Sequence, residues 1–279
     1  MESLKQVIDK YDELAREYDR RYVGEGASLA FKLYLGLYDQ LTWRYIEPYL
    51  PQDLSMPILD AGGGTGKWAL RIAEQGHQDV QILDLSSEML EQAEEHFAAC
   101  GLGSALTTQV GDIRDLPWPE NTFGLVVSEG DPVGYCLSDY PIAISEMVRV
   151  CIPGGMIVIA VDDLLSQYLG ALQMVGLEEA VKLRETRVSR CPYDLPVRCF
   201  TPREMQETFS AAGADVIKIL TKPSLMHILR NIAKLADNPA LQQALFEAEV
   251  WACEEGYVTG GSHLQVIARK RNGLSGRED

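Results

Sequence analysis

The chain holds 279 residues, 46% of them apolar, and its 25 Lys and Arg are outnumbered by 41 Asp and Glu for a net charge of −16. That length can bury a core large enough for one domain carrying insertions. The acidic balance, with no Lys/Arg-rich run, argues against nucleic acid or an anionic membrane surface as a partner.

The opening MESLKQVIDK has no apolar targeting stretch, and the longest strongly apolar run, MIVIAV at 156–161, is far too short to span a bilayer. The expected location is therefore the cytoplasm, and the expected assembly a monomer or homodimer. Residues 4–22 place Leu4, Val7, Ile8, Tyr11, Leu14, Ala15, Tyr18 and Tyr22 at three- and four-residue steps, which predicts an amphipathic helix. A second helical stretch runs from about Ser28 to Tyr49. Seven of the twelve tyrosines fall in the first fifty residues, a stripe that suits core packing and equally a lid over a ligand.

From Pro57 the pattern changes to short apolar runs alternating with helical stretches: PILDAG, VQILDL, ALTTQVGD, FGLVVSEG and GGMIVIAVDD. Continuous apolar strands separated by helices predict a parallel sheet covered on both faces, and right-handed crossovers make it doubly wound. Helical composition follows Asp163 to about Val197, then TPREMQETFSAAGADVIKIL reads as a helix and a strand. Thr201, Pro202 and Glu204 form a capping box with proline in the first turn. A second helical insertion spans Ser224 to about Glu255, and SHLQVIARK reads as a final strand. Cys100, Cys136, Cys151, Cys191, Cys199 and Cys253 show no C-x-x-C pair, so reduced thiols are expected rather than a disulfide frame or a zinc site.

The segment ILDAGGGTGKWAL at 58–70 sets four glycines within five positions where the first strand meets a helix. In an open parallel sheet that is the ligand position. A triphosphate loop needs G-x-x-x-x-G-K-[ST], which fails at Ala61 and Trp68. A dinucleotide loop fits formally from Gly64 through Gly66 to Ala69. The third pattern, D-x-G-x-G-x-G through Asp60, Gly62, Gly64 and Gly66, ends the strand on a carboxylate that repels a pyrophosphate and suits a cation.

With that motif the chain resembles the class I S-adenosylmethionine-dependent methyltransferases, and further stations follow in order. Asp84 ends ILDLSSEML, Asp112 and Ile113 follow the third strand, and EMVRVCIPGG resembles the family's helix and turn before strand five. YDELAREYD at 11–19 resembles the Tyr-Asp repeat of the ubiquinone/menaquinone-methyltransferase-like small-molecule branch. The resemblance implies a Rossmann-like, seven-stranded, mostly parallel sheet with the last strand antiparallel and helical cap insertions. It implies S-adenosyl-L-methionine held by Tyr18, Asp60, Ala61, Gly62, Gly64, Gly66, Asp84, Leu85, Met89, Asp112, Ile113, Ser128 and Glu129. Asp84 would accept the ribose hydroxyls, Asp112 the adenine amino group, and Tyr18 would face the methionine part. Plainer roles remain open at this point: Asp60 and Asp84 as helix caps, Asp112 as a turn residue, Tyr18 as core.

The expected organisation is a helical lid over 1–50, a cofactor-binding core over 51–162, a cap insertion over 163–198, a core helix and strand over 199–222, a second insertion over 223–258, and a last strand and tail over 259–279. The acceptor is expected to be a small molecule enclosed by this cap. Glu129, Asp131, Tyr135 and His227 are the candidates for contact with it or for proton transfer, with His263 a further C-terminal histidine. Asp131 with Asp162 and Asp163 could imitate a magnesium site, but no third ligand is identifiable, so no metal is expected. The rival readings are a nicotinamide-dependent oxidoreductase and a non-methylating S-adenosylmethionine-binding protein.

Overall fold

The computed structural model describes residues 2–22, 28–226, 229, 232–235, 238–255 and 261–272. Two helices, α1 (Glu2–Tyr22) and α2 (Leu29–Arg44), precede the first strand, β1 (Ile58–Ala61). Then follow α3 (Lys67–Ala73), β2 (Val80–Asp84), α4 (Ser87–Ala99), β3 (Leu106–Val110), β4 (Phe123–Ser128), α5 (Pro132–Tyr135), α6 (Tyr140–Val150) and β5 (Cys151–Asp162). Beyond β5 come α7 (Leu164–Met174), α8 (Leu177–Thr186), β6 (Val188–Arg190), β7 (Pro196–Arg198), α9 (Pro202–Ala211), β8 (Ala214–Lys222), α10 (Pro239–Glu254) and β9 (His263–Lys270).

Seven strands form one sheet in the order β3-β2-β1-β4-β5-β9-β8. The first five run parallel, and β9 is antiparallel to both β5 and β8, as the resemblance implied for the last strand. The physical reason is composition: every residue of β1 and β4 is buried, so both faces of these strands need a covering layer. Alternate residues supply two cores. Leu59, Val126 and Ile157 pack on one face with Phe200 and Phe209, while Ile58, Leu125 and Val158 pack on the other with Ile72 and Phe97.

The sheet reverses its winding between β1 and β4, which opens a crevice at their carboxyl ends. The helices that flank it start where the sequence provides caps. Ser86 Oγ accepts the Met89 amide at 3.1 Å at the head of α4, and Thr201 Oγ1 accepts the Glu204 amide at 3.2 Å at the head of α9, with Pro202 in the first turn. The 163–198 stretch holds α7 and α8 as expected but ends in the short hairpin β6/β7, whose loop carries Tyr193. The amphipathic stripe of α1 divides its labour: Leu14 and Ala15 are buried, while Leu4, Val7, Ile8, Tyr11 and Tyr18 face a cavity at the crevice. No described helix is long and apolar enough to cross a membrane.

Phe97 on α4 is completely buried, and its ring lies 3.5 Å from where a Cβ on Gly66 would stand, so it props the glycine turn from below. Phe97→Ala should lower stability by about 3–5 kcal/mol, the usual loss for an aromatic core truncation. Urea unfolding measures it, as a fall in midpoint at unchanged slope.

Candidate active site

The turn after β1 is fastened to the end of β2. The amides of Gly62 and Gly63 donate to the Leu83 carbonyl at 2.6 and 3.3 Å. Gly62 has φ +76°, and a Cβ there would meet the ring of Pro132 at 2.5 Å. At Gly63 a Cβ would lie 2.7 Å from the Asp60 carboxyl carbon. The backbone thus runs between a proline above and a carboxylate below, an approach that side chains would prevent.

Above the turn lies a cavity of about 1060 Å³, its open mouth included, with its walls at the ends of β1, β2, β3 and β4 and its roof made by α1. Its lining includes Tyr18, Gly62, Gly64, Asp84, Leu85, Met89, Asp112, Ile113, Glu129 and Tyr135 from the sequence-derived set. Asp60, Ala61, Gly66, Ser128 and Asp131 lie outside the lining, behind its surface: Asp60, Ala61 and Ser128 are wholly buried, and Ser128 Oγ donates to the Ala61 carbonyl at 2.7 Å. His227 lies outside the described residues.

Asp84 accepts the Gly64 amide on Oδ2 and the Ser86 amide on Oδ1, both at 2.9 Å. Burial pushes its carboxyl up, and these amide bonds offset part of that. Each oxygen keeps a lone pair for a further donor. Asp60 bonds the third residue of α3, its Oδ2 accepting the Ala69 amide at 3.2 Å, while Oδ1 is buried without a hydrogen-bond partner. Asp112 is gripped by its neighbour: Arg114 Nη2 donates to Oδ2 at 2.6 Å and Nε reaches both oxygens. Burial pushes the Asp112 carboxyl up, but this grip outweighs it and leaves the group below the ordinary aspartate range.

The roof is tethered to the floor. Ser86 Oγ donates to Asp12 at 2.5 Å, Thr65 Oγ1 donates to Asp19 at 2.8 Å, and His96 Nε2 stands 3.2 Å from Asp19. The hydroxyls of Tyr11 and Tyr135 meet at 2.9 Å across the cavity, and the ring of Tyr11 also packs edge-on against Tyr193.

On the far side, Glu129 turns its side chain into the protein. Its carboxylate takes Lys222 Nζ at 3.2 Å and the Gln265 amide, and Lys222 also reaches Thr42 and lies 4.6 Å from the ring centre of Tyr38. Burial pushes Glu129 up and Lys222 down, while each partially restores the charge of the other. Asp131 has φ +74° at the head of α5, and its Oδ1 accepts the Asp162 amide at 3.3 Å. Burial and then the Asp162 charge hold the Asp131 carboxyl well above its ordinary range, and burial raises Asp162 to about 7. His263 Nε2 is 3.4 Å from Asp162.

A family profile described as "Methyltransferase domain" matches residues 58–155, the stretch from β1 into β5. Over 199 residues the chain is 30% identical to the malonyl-[acyl-carrier protein] O-methyltransferase of Erwinia billingiae, covering 70% of this chain and 73% of that protein. The chain belongs to the class I S-adenosylmethionine-dependent methyltransferases. It is also 36% identical over 103 residues to the demethylmenaquinone methyltransferase of Symbiobacterium thermophilum, a match to 35% of this chain and 39% of that one, so it spans about two fifths of that relative. The fold is shared with the geranyl diphosphate C-methyltransferase of Streptomyces coelicolor, solved with Mg2+, geranyl diphosphate and S-adenosyl-L-homocysteine, at TM-score 0.61 and 12% identity over 97% of this chain and 98% of that one.

S-adenosylmethionine, the methyltransferase's cosubstrate, fits the residues present. Asp60 offers an orphaned buried oxygen under the turn, and a Cβ on Gly64 would meet nothing within 4 Å, so the cradle is open there. Sequence reasoning passed over Gly63, Thr65, Asp12, Asp19, Tyr11, Tyr193, Gln265 and Lys222 as site residues. Gly63 lies inside the quoted motif yet outside its alternating glycine pattern, and the YDELAREYD repeat already held Tyr11, Asp12 and Asp19. Lys222 carried no local signal, because its partner is 93 positions away.

The Lys222–Glu129 pair is fully sealed, both side chains having no exposure. Lys222→Met should destabilise the methyltransferase by about 3–5 kcal/mol by stranding the carboxylate. Lys222→Met with Glu129→Gln should recover much of that loss, as chemical denaturation of both variants would show.

Proposed function

We propose that this methyltransferase acts on a small molecule in the cytoplasm, as a monomer or homodimer and without nucleic acid, with residues 1–50 as lid and the insertions 163–198 and 223–258 as the cap that selects the acceptor. The observation that carries the reading is the single cavity that joins the Gly62–Thr65 turn and Asp84 to the Gly130–Cys136 loop under α1. Its enclosure by helices supports a compact acceptor, and a net charge of −16 disfavours a polyanionic one.

In this reading Asp84 takes the ribose hydroxyls, Ile113 and Asp112 border the adenine, and Tyr18, Leu85 and Met89 complete the wall. Asp60, Ala61, Gly66 and Ser128 act from behind it, by shaping and charging the turn. The cosubstrate supplies an electrophilic methyl carbon on a sulfonium. The protein's share is alignment and the exclusion of water by α1 and the Tyr11–Tyr135 hydroxyl pair. Among the catalytic candidates, Asp131 is the favoured group for the acceptor's proton, because it sits just behind the wall between cavity-lining Gly130 and Pro132, and burial followed by the Asp162 charge raises its carboxyl. Glu129 serves by position, since its carboxylate is held by Lys222 and Gln265. His227 keeps its candidacy on sequence grounds alone.

Methyl-labelled S-adenosylmethionine incubated with the protein and a cell extract should label a low-molecular-weight product, and a labelled macromolecule instead would overturn the acceptor class. In thermal shift, S-adenosylmethionine and its demethylated product should stabilise the protein where NAD does not. Asp84→Ala should weaken cosubstrate binding by roughly 1.5–3 kcal/mol, the range for hydrogen bonds to a charged group. Calorimetry on the folded variant checks this, and unchanged affinity would return Asp84 to a purely structural role.

A further inference from the structure

The acid at the tip of β1 is placed unlike its neighbours. Asp60 is wholly buried one backbone thickness below the cavity, beneath Gly63, with one amide bond from Ala69 and an oxygen that no donor reaches. The charged groups that face it are acids, Glu129 from the end of β4 and Asp84 from the end of β2. The lysines of the surrounding elements are engaged elsewhere: Lys222 of β8 with Glu129, and Lys67 of α3 with Asp39 at 2.5 Å. Asp84, by contrast, is supported by the amides of Gly64, Leu85 and Ser86. Burial, followed by the charges of Glu129 and Asp84, holds the Asp60 carboxyl up at about 7, with the Ala69 amide pulling the other way.

We propose that Asp60 discriminates the charged cosubstrate from its product by exchanging a proton: S-adenosylmethionine binds with Asp60 ionised, displacing the proton that its carboxyl otherwise holds, whereas S-adenosylhomocysteine leaves that proton in place. The inference rests on the cavity being the S-adenosylmethionine site. At pH 6 the two ligands differ in charge by the sulfonium, since the α-ammonium and carboxylate are ionised in both. A carboxyl with an unmet acceptor and no cation beside it gains most from an arriving positive charge.

The turnover balances. In methyl transfer the new bond forms between acceptor and methyl carbon, the C–S bond breaks, and its electron pair stays on sulfur. The acceptor's proton passes to Asp131 and from there to solvent. Asp60 then faces a neutral sulfur and takes up a proton from solvent, so the buried charge is compensated at both ends of the reaction. Asp60 is thereby a specificity-determining residue that loosens the product relative to the cosubstrate.

Titration calorimetry at pH 6, in two buffers of different ionisation enthalpy, reads the proton count directly with S-adenosylmethionine and S-adenosylhomocysteine as probes. The wild-type protein should release close to one proton per S-adenosylmethionine and clearly less for S-adenosylhomocysteine. S-adenosylmethionine affinity should rise by up to about tenfold per pH unit from pH 5 to 6.5. Asp60→Asn should abolish the release and narrow the preference between the two ligands, and the wild-type comparison stands even if this variant folds poorly. Equal proton counts for the two ligands would overturn the proposal, as would full proton release from folded Asp60→Asn. Failure of the wild-type protein to bind either ligand would instead sink the cavity's assignment.

Discussion

A carboxylate sealed beneath a side-chain-free turn is the constraint on which the rest of the site depends. Asp60 ends β1 with no exposure, and only glycine backbone can pass between it and the cavity without a clash. The turn closes on the Leu83 carbonyl and hands its Gly64 amide to Asp84. The turn and the second strand's acid are therefore one hydrogen-bonded unit, packed on the first strand's acid, with Phe97 and Ile82 beneath it and Pro132 above. Moving any of these parts shifts the Asp84 carboxylate, which makes the geometry of the cavity floor a property of the sheet rather than of a loop.

The roof obeys the same economy. The α1 helix reaches the core through Leu14 and Ala15, yet its tethers to the floor are polar, Asp12 to Ser86 and Asp19 to Thr65. Ser86 is at once the cap of α4 and the donor to Asp12, and its amide holds Asp84. The roof is thus fastened to the floor by a few partly buried hydrogen bonds, each of modest net strength.

Much of the architecture was legible because it follows from periodicity. The mostly apolar runs of β1 and β4, the Thr201 capping box and the helical period of α1 are all found in the structure. The β6/β7 hairpin was hidden inside a stretch of helical composition, since three-residue strands leave no alternation to detect. The cavity's glycine and aspartate stations could be placed from sequence because they sit at strand ends, where register fixes position. What no local pattern encodes is pairing across the sheet. Gln265 and Lys222 reach Glu129 from positions far along the chain, and the Asp131–Asp162 contact exists because β4 and β5 are neighbours. The candidacy of Glu129 for proton transfer was natural from its place after β4, and its enclosure by Lys222 is a tertiary fact.

The distribution of charge at the carboxyl edge bears on what the acceptor can be. Asp131 and Asp162 meet at the ends of β4 and β5; burial and then the Asp162 charge raise Asp131, burial and the Asp163 charge raise Asp162, and Asp163 caps α7. Among the described residues Lys222 is engaged by Glu129, Lys67 by Asp39 and Arg114 by Asp112 and Asp139, while His263 stands 3.4 Å from Asp162. A phosphorylated acceptor would therefore bring like charge against acids in a poorly solvated space, where each such contact is costly. A neutral or cationic group meets no such penalty. The feature that unites the two halves of the site is thus a surplus of buried carboxyl groups, Asp60 and Asp84 on one side and Asp131 and Asp162 on the other.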